Sequence, residues 1–82
     1  MEIEIFEEVF QKISEVKHDS LVSKNIKEFL ETIESDLRNS AEEKSLVINR
    51  VLNKLEEFIE SKDLPSYIII HLLNIASMLE SL

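Results

Sequence analysis

Glu15-Val16-Lys17-His18 places a carboxylate and an imidazole one helical turn apart on a single helix face. In di-iron bundles such Glu-x-x-His pairs hold metal, but that chemistry takes two pairs and two further inward glutamates. Only one pair is present: the second histidine, His71, is preceded at three residues by Ile68. A metal or small-molecule site on Glu15 and His18, with His71 as a third ligand, is therefore an alternative reading. The main expectation is no metal and no cofactor, with His18 as an ordinary helix-end residue favoured by the dipole.

Two further constellations invite a chemical reading. His71, Asn74 and Ser77 share a narrow polar stripe, a pattern that most often marks the side of a helix that meets water. The acid pairs Glu7/Glu8, Glu28/Glu31 and Glu56/Glu60 could serve general acid–base work only if burial or crowding shifted their pKa values. They lie opposite the apolar stripes, so no catalytic residue is expected and the chain reads as a non-enzyme. Lys24 and Lys27 with Glu28 and Glu31 read as i,i+4 charge pairs.

Composition narrows the chemistry further. The 82 residues include no Cys, which removes disulfides, thiolate metal sites and thiol nucleophiles. They include no Gly, which removes phosphate-cradling loops, dinucleotide fingerprints and nucleophile elbows, all of which need a position without a Cβ. Net charge is −8 and no segment is net basic, so neither nucleic acid nor an anionic membrane is an expected ligand. The longest apolar run is Tyr67 to Ile70, too short to span a bilayer. The acidic start Met1-Glu2-Ile3-Glu4 is unlike a signal peptide, and the expected location is cytoplasmic.

The elements that would carry these residues are helices. Ile3, Ile5, Phe6, Val9, Phe10, Ile13 and Val16 give helix one over about Glu2 to Lys17. Ile26, Phe29, Leu30, Ile33 and Leu37 give helix two over about Ser23 to Arg38, with Asp19, Ser20 and Ser23 all possible N-caps and Glu34/Arg38 an i,i+4 pair. Ser40-Ala41-Glu42-Glu43 reads as a capping box opening helix three over about Ala41 to Glu60. Pro65 suits the first turn of helix four, which runs to the C-terminus. Short connections make sequential helices antiparallel neighbours.

A shift of 42 residues superposes the two halves: Val9 on Val51, Ile13 on Leu55, Val22 on Leu64, Ile26 on Ile68, Leu30 on Leu72, Leu37 on Leu79. The single domain, 1–82, is thus built from two similar helical hairpins. Two pairs are fewer than the three or so repeats that an open array needs, so a closed four-helix up-and-down bundle is expected over two stacked, HEAT-like helix pairs.

The two matching turns and the tail carry a family resemblance. Asp19-Ser20-Leu21-Val22-Ser23-Lys24-Asn25-Ile26-Lys27, then Lys62-Asp63-Leu64-Pro65, then Ile75-Ala76-Ser77-Met78-Leu79-Glu80-Ser81-Leu82, resemble a group of small archaeal proteins, the uncharacterised protein family numbered 0147. The chain departs at Ser23, where the family usually has Pro, and at Ile69 and Ile70, where it tends to basic or polar residues. The resemblance implies an all-α bundle and no particular activity.

Helix four is apolar over most of its circumference. Ile68, Leu72, Ile75 and Leu79 suffice for one core-facing stripe, which leaves Tyr67, Ile69, Ile70, Leu73 and Ala76 as a surplus. That surplus reads as a contact surface. The expected partner is a second copy in a homodimer, or another protein, and the function is that of a non-enzymatic interaction or structural module. A third reading, an acidic mimic that masks a basic partner, predicts binding that weakens with salt.

Overall fold

A computed structural model describes residues 2–38 and 41–82, with side chains from Phe6 onward. It contains four helices: α1 (Glu2–Lys17), α2 (Lys24–Arg38), α3 (Lys44–Ser61) and α4 (Ser66–Glu80). No strand occurs among the described residues, and the β-prone run Tyr67 to Ile70 lies within the helical start of α4. Each helix packs on two others: α1 on α2 and α4, and α3 on α2 and α4. The α1–α4 contact closes the ring, which an open stack of helix pairs would leave apart, so the fold is the closed bundle. Partner residues run in opposite senses along the first hairpin. Phe10 meets Arg38, whereas Lys17, further along α1, meets Glu34, nearer the start of α2.

The stripes read from the 3.6-residue period face inward, with Phe6, Phe10 and Phe29 half-buried at the rim of the core. Val9, Ile13 and Val16 join Ile26, Leu30, Ile33, Leu37, Val51, Leu55, Ile68, Leu72, Ile75 and Leu79 in one core, and no charged side chain is buried among the described residues. Burying each such side chain favours the fold by about 1.5–3 kcal/mol. Ile3 and Ile5 lie outside the described side chains.

The helix starts differ in detail from expectation. The hydroxyl of Ser23 accepts a hydrogen bond from the Ile26 amide at 3.4 Å, which makes Ser23 the N-cap of α2. Asp19 instead closes the preceding turn, accepting from the Leu21 amide at 2.9 Å. Helix α3 begins at Lys44 rather than Ala41, with Glu43 extended at the N-cap and making no side-chain capping bond. The capping box therefore does not form with Glu43 at N3, and its proposed cap, Ser40, lies outside the described residues. Glu42 is engaged instead by Arg50, two turns into α3. Pro65 stands at the N-cap of α4, not in its first turn: its ψ of 148° is extended, and its carbonyl accepts from the Ile68 and Ile69 amides.

The 42-residue shift is a structural relation as well as a sequence one. Val9 and Val51, Ile13 and Leu55, Ile26 and Ile68, Leu30 and Leu72, Ile33 and Ile75, and Leu37 and Leu79 are buried pair by pair. Hairpin α1–α2 is therefore the counterpart of α3–α4, and the α2–α3 seam is the counterpart of the α4–α1 seam.

Those two seams are closed by different chemistry. Phe29 and Phe58 stack across the α2–α3 seam at 3.9 Å between centroids and 4° between planes. Beside them Lys54 donates to Asp36 at 2.6 Å. The corresponding residues of the α4–α1 seam are His71, Val16, Lys12 and Met78. His71 has a buried Nδ1 with no hydrogen-bond partner among the described residues, and its ring lies edge-on to that of Tyr67, on its own helix, at 6.4 Å between centroids.

Glu34 joins α1 to α2. Its two oxygens accept from Lys17 and from Arg38, each at 3.0 Å. Burial alone would raise the Glu34 carboxyl, but the hydrogen bonds and positive charge of Lys17 and Arg38 outweigh it and hold the pKa below its ordinary value. A carboxyl lowered in the folded state stabilises the fold above the ordinary glutamate pKa of about 4.3, and that contribution is lost as pH falls through the folded value. The melting temperature of the wild type is therefore expected to drop more steeply than that of Glu34→Gln on acidification below about pH 4.3. Parallel profiles would show that the network does not couple folding to this proton.

Candidate interaction surface

The residues with metal-ligand character are not brought together. Glu15 is exposed on the last turn of α1 and His18 is exposed just beyond its end, with the His18 Nδ1 2.8 Å from the Ser14 carbonyl of α1. Among the described residues no three histidine or acidic side chains are placed to share a cation. Asn74 and Ser77 are exposed beside the half-buried His71, and the acid pairs Glu7/Glu8, Glu28/Glu31 and Glu56/Glu60 are all exposed. Of the charge pairs expected on α2, Arg38–Glu34 forms at 3.0 Å and Lys24–Glu28 at 3.9 Å. Lys27–Glu31 is not among the ion pairs of the described residues.

The apolar surplus of α4 divides in two. Tyr67, Ile70 and Leu73 are exposed, at 38 %, 57 % and 53 %. Ile69 and Ala76 are half-buried, and Ala76 packs against the core. The structural counterparts of Tyr67, Ile69, Ile70, Leu73 and Ala76 on α2 are Asn25, Lys27, Glu28, Glu31 and Glu34. In every pair the two members are alike in exposure. The same five places in the same fold are therefore occupied by polar residues in one hairpin and by apolar residues in the other. Tyr67, Ile70 and Leu73 are thus apolar at exposed places that the first hairpin fills with polar residues.

Neighbouring helices extend both surfaces into grooves. On the outer side of α1–α2, Phe10, Ser14, Leu37 and Arg38 line a groove of about 660 Å³. Arg38 crosses it, with its guanidinium carbon 4.2 Å from the Phe10 ring centre and its Nη2 donating to Glu34 Oε2. The counterpart between α3 and α4, about 370 Å³, has a floor of Leu52, Leu55, Ile59, Leu73 and Ala76. Glu56, Glu60 and Glu80 stand at its edges. Glu80 occupies the place of Arg38, Ala76 that of Glu34, and Ile59 that of Lys17. The cationic network of the first groove is thus replaced by an apolar floor and carboxylates, and no cation of the described residues pairs with Glu56, Glu60 or Glu80.

The surplus read from the sequence covers only the α4 side of this groove. The helix-three stripe Val47, Ile48, Val51, Leu52, Leu55, Phe58 and Ile59 reads as core-facing, whereas Leu52 and Ile59 are half-buried and line the groove. The available signal was the 42-residue shift applied to surface positions, which aligns Leu52 with Phe10 and Ile59 with Lys17. No helix among the described residues is long and apolar enough to cross a membrane. No curated protein and no solved structure matches the chain. The model of one family does match it, over residues 2–82, in agreement with the resemblance carried by the two turns and the tail: the chain belongs to the uncharacterised protein family UPF0147.

Proposed function

We propose that the protein is a non-enzymatic, cytoplasmic protein-interaction module whose contact surface is the exposed side of α4 together with the groove it forms with α3. One observation carries this reading. Tyr67, Ile69, Ile70 and Leu73 are apolar at positions where the equivalent helix of the same molecule is polar and equally exposed. Exposed apolar clusters reduce solubility, and those that a fold does not need commonly mark contact surfaces. The mechanism is helix docking, with Ile70 and Leu73 as anchors.

The double substitution Ile70→Glu/Leu73→Glu tests it. The variant is expected to melt within about 5 °C of the wild type, because both side chains are more than half exposed. It is also expected to lose at least about tenfold in association, whether with a second copy in sedimentation equilibrium or with a heterologous protein recovered from native cells. Unfolding of the variant would assign the two residues to the intramolecular core. Unchanged association in both assays would remove α4 as the contact surface.

A further inference from the structure

The α3–α4 groove combines an apolar floor with carboxylates, and this combination selects among occupants. Its edges carry Glu56, Glu60 and Glu80, and none of the residues that line it is basic. The equivalent groove of the first hairpin holds what this one lacks: a helix-borne arginine laid over an aromatic floor residue and bonded to a carboxylate. A second copy of the chain is a poor fit. It also carries a net charge of −8, and the same groove of a second copy has no basic lining residue to meet Glu56, Glu60 and Glu80.

We propose that the occupant of this groove is an amphipathic helix of another protein, with an apolar stripe that fills the floor and lysine or arginine along the edge that meets Glu56, Glu60 and Glu80. This rests on the reading of α4 as a contact surface and adds the chemistry of the partner. The apolar stripe supplies the area, and the basic edge fixes which helix is accepted and in which direction it lies. Association is screened by salt through the edge but not through the floor.

A phage-displayed library of 18-residue helices tests the proposal. Its stripe positions vary among Leu, Ile, Val, Met and Phe, and its flanking positions among Lys, Gln and Glu. Selection on the wild-type protein is expected to enrich clones with lysine along one flank. Synthetic versions of those peptides should bind Glu56→Gln/Glu60→Gln/Glu80→Gln about tenfold more weakly than wild type, as loss of charge pairing across an interface requires. They should not bind Ile70→Glu/Leu73→Glu measurably. Enriched clones with neutral or acidic flanks would overturn the basic partner while leaving α4 as the contact surface. Failure to enrich any clone, with a dimer in sedimentation that Ile70→Glu/Leu73→Glu dissociates, would make the occupant a second copy. No enrichment and no dimer would overturn both the partner and the surface.

Discussion

Leu72→Ala is expected to lower the melting temperature by roughly 10–30 °C, and Leu73→Ala, one residue further on, to leave it within about 5 °C. The two leucines differ only in which side of α4 they occupy. Leu72 is fully buried in the core, and Leu73 is 53 % exposed. Removing a buried leucine costs its transfer free energy plus that of the cavity left behind, together about 2–5 kcal/mol. A domain of this size has about 5–10 kcal/mol in all, so the loss is a large part of its stability. Thermal unfolding followed by circular dichroism makes the comparison directly. Equal shifts would mean that the outer side of α4 is as much a part of the core as the inner.

Phe58→Ala is expected to cost about 2–3 kcal/mol, with Phe29→Ala similar and the double mutant costing less than their sum by about 1 kcal/mol. Both rings are half-buried, which places the single-mutant cost below that of a fully buried phenylalanine. The coupling follows from their parallel contact across the α2–α3 seam. Denaturant unfolding of the four proteins in the cycle measures it. Strict additivity would reduce the stack to two independent hydrophobic contacts.

Helix number, helix order and the inward stripes were legible in the sequence because each helix carries a strong 3.6-residue period and the breaks fall between stripes. The start of α3 was not, because Ser40-Ala41-Glu42-Glu43 has the residue types of a capping box, while Glu42 pairs with Arg50 and Glu43 itself takes the extended cap position. Cross-helix ion pairs were also missed. Lys17–Glu34 and Lys54–Asp36 are set by the antiparallel register and have no short-range signature. The proposed contact surface is half legible. An excess of apolar residues shows on a single helix, but a groove needs to know which neighbour lies alongside, and that is a property of the assembled ring.

The unequal seams have a consequence for how the molecule opens. The α2–α3 seam joins helices adjacent in the chain and is fastened by stacked rings and an ion pair. The α4–α1 seam joins helices far apart in sequence, holds the His71 nitrogen that has no partner among the described residues, and is crossed by no ion pair among them. The Tyr67 hydroxyl at the start of α4 makes a long hydrogen bond, 3.4 Å, to the Leu21 carbonyl, which lies in the α1–α2 connection and not on α1. Native-state fluctuations are therefore expected to concentrate there. Native-state hydrogen exchange is expected to show the ring parting first between α1 and α4, with amide protons of α1 exchanging before those at the α2–α3 seam; equal protection at the two seams would contradict this.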